Sequence, residues 1–233
     1  MESDLQTRIK TLAHWIQESK KLVVFTGAGI STESGLPDYR GPDGIWTRQA
    51  RGLPTESRDF SSAEPNEGHL AIVGLQSLGK LDFLISQNVD NLHLKSGILP
   101  NLLAELHGNV TKVRCNRCEF LMDRFDDLVD CPLCGSRLSS SLVDFGQSLP
   151  QKDLTDSFSH ARDCDFLLVV GSSLVVYPAA DIPRVALESG ARLVIINQGE
   201  TPLDPVAHLR FWEGIGVVLP QAMNHLKELI DVD

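Results

Sequence analysis

The chain has 233 residues, of which 42% are hydrophobic, and this is enough for one substantial core or for a large domain with a smaller one. A formal charge of -10, from 31 acidic and 21 basic residues, argues against direct nucleic-acid binding, which relies on clustered cations. No apolar run reaches the roughly 20 residues that cross a bilayer, and the first ten residues lack the apolar centre of a signal sequence. We therefore expect no membrane association and an intracellular location, cytoplasmic or, in a eukaryote, nuclear.

The hydrophobic pattern alternates between helices and short buried strands. Apolar residues from Leu5 to Ile16 recur at helical spacing, which predicts a first helix over residues 4–19. Short runs rich in branched residues predict strands at 22–27, 82–87, 165–173 and 192–197. Helical patterns follow around 69–79, 151–162, 178–189 and 219–231. Buried strands that alternate with helices predict an α/β fold, a Rossmann-like doubly wound parallel sheet.

Two regions interrupt this alternation. Residues 37–66 are rich in Gly, Pro, Ser and charge, which indicates a long loop that becomes ordered with a ligand. Residues 109–148 contain four cysteines and little apolar periodicity, which predicts a small inserted module. The α/β domain then consists of residues 1–108 and 149–233.

A glycine-rich turn with Gly27, Gly29 and Gly35 follows the first predicted strand. Such a turn can aim backbone N–H groups and a helix N-terminus at a pyrophosphate, although a plain strand-to-helix turn has the same composition. Thr32 stands where the dehydrogenase fingerprint has its third glycine, and no second strand with an acidic ribose ligand follows about 20 residues later. The turn therefore favours a nucleotide site that does not serve hydride transfer.

The four cysteines read C-x2-C-x12-C-x2-C, at positions Cys115, Cys118, Cys131 and Cys134. Two thiolate pairs at this spacing suit one tetrahedral zinc ion, and four thiolates leave no open position for water. The predicted zinc is therefore structural. A zinc ribbon that reads DNA is an alternative, but the acidic residues around the cysteines disfavour contact with phosphate. Cys164, beside an apolar run, is expected to be a small core residue.

Two polar segments are candidates for chemistry. Residues 87–93, QNVDNLH, follow the second predicted strand, where open α/β sheets bind ligands. Their amides and carboxylate could bond a ribose or a carboxamide, or simply form a polar turn. His107 lies in ELHGN, and histidine suits proton abstraction near neutral pH. A single histidine is nevertheless more often structural than catalytic.

Together, seven segments resemble, in order, those of the sirtuins, the NAD-dependent protein-lysine deacylases. The resemblance runs from about Lys20 to Pro220, and the stretch GPDGIWTRQARGLP is most similar to the branch of nuclear, chromatin-associated sirtuins. The seven segments are GAGISTESGLPDYRG, QNVDNLH, LHGN, the four-cysteine module, VDFGQSLP, GSSLVVYPAA and VIINQGET.

The resemblance implies that NAD is consumed as a co-substrate, and it assigns the NAD contacts. The diphosphate and a nearby ribose would lie against Gly27, Ala28, Gly29 and Thr32. The nicotinamide side would be covered by the 37–66 loop through Asp38, Tyr39, Arg40 and Trp46. Gln87 would touch the nicotinamide ribose, and Asn88 and Asp90 would form the nicotinamide pocket. The adenosine half would contact Gly171, Ser172, Ser173, Asn197 and Ile215.

The resemblance also implies how the reaction proceeds. The acyl-lysine carbonyl oxygen attacks C1′ of the ribose as nicotinamide leaves, and His107 is the general base, with Asn88 and Asp90 also catalytic. The substrate peptide would pair as an added strand with Val143, Phe145 and Gly146. The chain departs from the common family pattern at Tyr39, Asn91 and Gln147, where many members have phenylalanine, glycine and glutamate.

The expected function is therefore NAD-dependent deacetylation or deacylation of lysine in an acylated protein or peptide, with release of nicotinamide and O-acyl-ADP-ribose. Mono-ADP-ribosyl transfer or NAD hydrolysis on the same scaffold is a second reading. A third is an NAD-sensing or interaction module without catalysis.

Overall fold

The computed structural model describes residues 2–55, 60–125, 129–144 and 146–231. Its centre is a six-stranded parallel sheet in the order β3-β2-β1-β7-β8-β9. The strands are β1 (Leu22–Thr26), β2 (Leu81–Ser86), β3 (Leu103–Glu105), β7 (Phe166–Val170), β8 (Arg192–Ile196) and β9 (Leu209–Phe211). The first three strands run outward from β1 and the last three run outward from β7, so the strand order reverses between β1 and β7. This is the doubly wound arrangement, in which ligands bind beyond the carboxyl ends of the strands at the reversal.

Helices cover both faces of this sheet, which explains why its central strands β1 and β7 are buried at every residue. The helices are α1 (Glu2–Glu18), α2 (Ile45–Ala50), α3 (Glu67–Ser77), α4 (Leu92–Ser96), α5 (Gln151–Asp163), α6 (Asp181–Glu188) and α7 (Ile215–Ile230). Side chains such as Val24 pack on the layer of α1, α3 and α7, and alternate ones such as Phe25 pack on the layer of α5 and α6. Among the described residues no helix is both long and apolar enough to cross a membrane.

A second, antiparallel sheet in the order β5-β4-β6 lies within the predicted insert. Its strands are β4 (Lys112–Cys115), β5 (Leu121–Asp123) and β6 (Leu138–Ser140). Its core is small and contains Cys115, Cys131 and Leu138. The predicted boundaries at 109 and 148 stay a prediction, but they lie between the last strand before this sheet and the first helix after it.

The predicted α/β fold is confirmed, with four strands and five helices close to their expected positions. The pattern did not predict β3 and β9, each three residues long at an edge of the sheet. Runs of three residues carry too little periodicity to identify a strand. The predicted loop 37–66 also contains a short helix, α2. Cys164 is buried, its thiol bonds to the Ala161 carbonyl, and burial raises its pKa to about 12, as expected for a core residue.

Candidate functional site

The loops that follow β1 and β7 touch at the reversal of strand order. The N–H groups of Gly27 and Gly29 donate to the carbonyls of Val170 and Gly171, at 3.0 and 2.8 Å. A Cβ added at Gly29 would come within 2.8 Å of Gly171, and one at Gly171 would come within 2.3 Å of the Ile30 nitrogen. The glycines are therefore required because two backbones approach closely. This corrects one expectation: the N–H groups of Gly27 and Gly29 are already bonded within the protein and are not directed at a pyrophosphate.

A cavity of about 780 Å³ opens at this point. Every described residue that the sequence assigned to NAD binding or catalysis lines it, from Gly27 and Thr32 to Asn197 and Ile215. Val143 and Gly146 of the predicted substrate segment line it too, whereas Phe145 lies outside the described residues. Gly35 is not part of the lining; it closes the 3-10 helix Ala28–Ser34 with φ of 81°. The structure thus brings the predicted residues together, while their individual roles stay predictions.

Asn88 and Asp90 line the cavity, and both are more than nine-tenths buried. Asp90 accepts a hydrogen bond from the Ser31 hydroxyl at 2.7 Å and another from the Leu92 N–H at 2.9 Å. The side-chain N–H of Asn88 donates to the same Ser31 oxygen at 3.2 Å. Because these bonds fix both side chains, the pocket offers a preorganised acceptor, Asn88 Oδ1, which has no partner among the described residues.

Ser31 is a site residue that the sequence reading missed. It is 2% exposed, lines the cavity and links Asn88 to Asp90, although it is separated from them by more than 50 residues in the chain. The sequence shows that Ser31 lies in the glycine turn, but no local pattern of residues shows that its hydroxyl faces Asp90. The cavity lining also includes Glu33, Phe60 and residues 175–178, which the sequence reading did not assign.

Residues 38–46 form a loop beside this pocket that internal hydrogen bonds and ring contacts hold in shape. One Asp38 carboxylate oxygen accepts from the Gly41 N–H at 2.9 Å, and the Asp38 carbonyl accepts from the Ile45 N–H at 2.9 Å. The Tyr39 and Trp46 rings lie with centroids 5.0 Å apart, and the Arg40 guanidinium stands 4.2 Å from the Trp46 ring centroid. Asp38 therefore holds this loop together and also lines the cavity, while its contact with NAD stays a prediction.

His107 stands in the β3–β4 connection with its ring in the cavity lining. Its Nδ1 lies 2.8 Å from the Gln87 carbonyl oxygen. Because a carbonyl only accepts, Nδ1 carries the proton and Nε2 of the neutral ring retains its lone pair. Burial lowers the pKa of His107 below its usual value, opposed by the bond to Gln87. The neutral form, which can accept a proton, is therefore favoured at neutral pH.

Gln87 and Ser172 connect the two halves of the sheet across the reversal. The Gln87 side-chain N–H donates to the Ser172 hydroxyl oxygen at 2.7 Å, and a second contact joins it to the Thr26 carbonyl at 3.3 Å. Ser173 lies in the loop after β7, and the Arg40 guanidinium donates to its hydroxyl oxygen at 3.4 Å. Asn197 follows β8 and Ile215 begins α7, and both residues line the cavity.

The predicted substrate segment is attached to the His107 loop. The Val143 N–H donates to the His107 carbonyl at 3.1 Å. Gln147, which departs from the family glutamate, accepts from the Asp144 N–H at 3.0 Å with its side-chain oxygen, a role that a glutamate oxygen could also fill. Asn91, which departs from the family glycine, has φ of 68°, and asparagine tolerates this left-handed region better than most residues.

The four cysteines of the insert converge as their spacing predicts. All four sulfur atoms lie within 4.8 Å of one another, and three sulfur–sulfur distances are 3.5, 3.6 and 3.5 Å. A tetrahedral zinc with bonds of 2.3 Å separates its ligands by about 3.8 Å. N–H groups of Cys118 and Arg117 donate to Cys115 and lower its pKa to about 6. The Phe120 N–H lowers the pKa of Cys118, but burial and contact with the other three sulfur atoms raise it overall to about 12. These four residues fit a structural zinc.

Comparison with known proteins gives consistent matches over the chain. The model of the Sir2 family matches residues 27–62 and 54–178. NAD-dependent protein deacetylase 1 of Bradyrhizobium diazoefficiens is 40% identical, and the alignment covers 93% of this chain and 96% of that protein. NAD-dependent protein deacylase 2 of Archaeoglobus fulgidus is 37% identical, with coverage of 97% and 98%. SRT1, an NAD-dependent protein deacetylase of Arabidopsis thaliana, is 43% identical over 88% of this chain, which spans 46% of that longer protein.

Solved structures agree with these matches. A Sir2 protein with a deacetylated p53 peptide and 3′-O-acetyl ADP ribose has a TM-score of 0.76 at 33% identity, covering 93% of this chain and 97% of that one. A Sir2 protein bound to an acetylated peptide has a TM-score of 0.74 at 32% identity, with the same coverage of both chains.

Proposed function

The chain belongs to the Sir2 family, and from that premise we infer that it is an NAD-dependent protein-lysine deacetylase or deacylase. One observation carries this reading beyond family membership. The unprotonated Nε2 of His107, the preorganised Asn88–Asp90 pocket and the substrate segment all border the same cavity at the reversal of strand order. A binder without catalytic function has no chemical need for a base and a fixed amide pocket in one place.

The residues then have the following proposed tasks. NAD supplies the ADP-ribose that accepts the acyl group, and one water molecule is consumed after nicotinamide has left. The products are nicotinamide, free lysine and O-acyl-ADP-ribose. Asn88 Oδ1 accepts a hydrogen bond from the nicotinamide carboxamide, and Ser31 and Asp90 hold that pocket in shape. The aromatic pair Tyr39 and Trp46 covers the nicotinamide end and excludes water, which would otherwise compete for the ribose carbon.

The acyl-lysine carbonyl must meet the ribose on the side that Val143 and Gly146 border. His107 takes the proton from a ribose hydroxyl through Nε2. The hydrogen bond from Nδ1 to the Gln87 carbonyl fixes the ring so that Nε2 faces the cavity. The adenosine half lies along Ser172, Ser173, Asn197 and Ile215. The zinc module supports the substrate segment and takes no part in bond making.

Two further aspects follow as proposals. Four cysteines that hold zinc as thiolates need a reducing compartment, which favours an intracellular location. The charge of -10 gives no reason to expect direct contact with nucleic acid.

The test is product analysis by mass spectrometry. Purified protein with NAD should release nicotinamide only when an acyl-lysine peptide is present, and it should form O-acyl-ADP-ribose. A panel of acetyl, succinyl, lipoyl and myristoyl peptides gives the acyl preference. His107→Ala should lower turnover by a factor of about 100 or more, since general-base catalysis contributes roughly 100- to 10,000-fold.

His14→Ala, an exposed position on α1, is the matched control and should turn over normally. Robust deacylation by the His107→Ala protein would refute the assigned base. A mass gain of ADP-ribose on protein, without O-acyl-ADP-ribose, would instead identify a transferase, and NAD loss without peptide would identify a hydrolase.

A further inference from the structure

Asn109 follows His107 by two residues, and it is 1% exposed. Its backbone forms a reciprocal pair with one serine: the Asn109 N–H donates to the Ser141 hydroxyl oxygen at 3.0 Å, and that hydroxyl donates to the Asn109 carbonyl at 2.8 Å. This pair joins the His107 loop to the chain that leaves the zinc module, two residues before Val143.

The Asn109 side chain uses its full bonding capacity. Its two N–H groups donate to Asn91 Oδ1 at 2.9 Å and to Glu105 Oε1 at 2.6 Å. Its carbonyl oxygen accepts from the Thr111 N–H at 2.9 Å and from the Thr111 hydroxyl at 2.8 Å. An amide has two donors and two acceptor lone pairs, so every one of them is bonded.

These partners come from the segments that border the cavity. Asn91 directly follows Asp90 of the nicotinamide pocket, and Glu105 ends β3 just before His107. Thr111 leads into β4 of the small sheet. The backbones of Gly108 and Ser141 are in close contact, because a Cβ at Gly108 would come within 2.0 Å of the Ser141 carbonyl oxygen. Asn109 itself is not among the described residues that line the large cavity.

We propose that Asn109 is a positioning residue for deacylation, which fixes His107 relative to both the nicotinamide pocket and the substrate segment. The proposal rests on the proposed function. A general base must lie within hydrogen-bond reach of the proton that it takes, and displacement by about 1 Å costs on the order of 100-fold in rate. Asn109 controls that distance through Glu105 and Ser141 without touching either substrate.

The experiment separates the two halves of the reaction. His107 acts after nicotinamide has left, so a displaced His107 slows product formation more than the exchange of labelled nicotinamide into NAD in the presence of an acyl peptide. For Asn109→Ala we expect O-acyl-ADP-ribose formation at saturating substrates to fall by about 10- to 100-fold. We expect exchange, and the KM for NAD, to change by less than about threefold, because Asn88, Asp90 and the adenosine contacts are unaltered.

Two more variants keep the test decisive. Asn109→Asp preserves the shape but removes both donors and places a carboxylate beside Glu105, so it should be as impaired as Asn109→Ala. Ser141→Ala removes only the reciprocal backbone pair and should show the same selective loss to a smaller degree. If either Asn109 variant fails to fold, Ser141→Ala decides the question.

Asp165→Ala is the control for a purely structural loss. The Asp165 carboxylate accepts hydrogen bonds from the Ser19 hydroxyl and from the N–H groups of Lys20 and Lys21, at the amino ends of the central strands β1 and β7 and so away from the cavity. This variant should lower the melting temperature without changing the ratio of turnover to exchange. Loss of both rates in equal proportion in the Asn109 and Ser141 variants, or unchanged turnover, would overturn the proposal. Absence of acyl-dependent turnover in the unaltered protein would instead overturn the proposed function.

Discussion

At the scale of single residues, close backbone contacts impose the strictest demands on this chain. Gly108, between His107 and Asn109, combines φ of 79° with the contact to Ser141 described above. Gly79, in the turn between α3 and β2, has a similar φ of 68° but has nothing within 4 Å of an added Cβ. The two glycines therefore separate the cost of backbone conformation from the cost of overlap.

Gly79→Ala should cost about 1–2 kcal/mol in the free energy of unfolding, which is the penalty of a left-handed L-residue. Gly108→Ala should cost roughly a further 1–3 kcal/mol, because the new methyl group would overlap the Ser141 backbone, which hydrogen bonds hold in place. Chemical denaturation of both variants and of the unaltered protein measures the difference. Equal destabilisation by the two substitutions would show that the Gly108 contact relaxes freely.

At the scale of elements, α3 and α4 meet through two buried histidines beside the site. The rings of His69 and His93 have centroids 5.0 Å apart, and His93 Nε2 lies 2.9 Å from the Thr26 hydroxyl oxygen at the end of β1. Asn66 caps α3 in a reciprocal arrangement with His69 and donates to the Ile30 carbonyl at 2.7 Å. Asn66 thus ties α3 to the glycine turn, and His93 ties α4 to the end of β1.

Burial lowers the pKa of His69 to about 4, partly opposed by Asp90, and lowers that of His93 as well. In the unfolded chain a histidine titrates near 6.5, so the unfolded state binds protons first as the pH falls. Stability from His69 is therefore complete above about pH 6.5 and declines towards pH 4, with about 2 kcal/mol lost between pH 7.5 and 5.

Urea unfolding at both pH values should show this loss in the unaltered protein and a smaller one in His69→Gln. His14→Gln, on the exposed side of α1, should behave as the unaltered protein. The absolute stability of His69→Gln should also drop because its contact with Asn66 is altered, so the comparison concerns the change with pH. Parallel losses in all three proteins would contradict the role of His69.

At the scale of the whole molecule, the small sheet has a small core among the residues that the structure describes, and so small a core usually needs a metal for stability. Its core contains Cys115, Cys131 and Leu138 with a few half-buried neighbours, and its two sequence connections pass beside His107 and Val143. The zinc ligands therefore stabilise the part of the chain that carries the substrate segment. Lys112 of β4 also pairs with Glu105 of β3 at 2.9 Å, which ties the two sheets together.

Removal of zinc with a chelator should disorder the small sheet, because a structural metal contributes folding free energy directly. Acyl-peptide turnover should fall to near background, while NAD binding, which depends mainly on the large sheet, should weaken far less. Cys134→Ser should have the same effect without chelator. Turnover assays, circular dichroism and metal analysis provide the readouts, and full activity of metal-free protein would show that the small sheet is stable without zinc.

Several features could be read directly from the sequence. The cysteine tetrad is a pattern of short spacings, so the chain alone brings each pair together. The long apolar strands identify themselves by composition, as do the helices by their period. The glycine turn, His107 and the Asn88–Asp90 pair were assigned by resemblance to the family, and the structure places all of them around one cavity.

The sequence by itself thus determined the fold class, the zinc ligands, the family and many of the residues around the cavity. Only the tertiary structure decided how that set is supported: Ser31 between Asn88 and Asp90, the bonded N–H groups of Gly27 and Gly29, and the links from Asn109 to Asn91 and Ser141. The physical reason is that these contacts join residues far apart in the chain. Their distances depend on strand order and register, which no local pattern of residues contains.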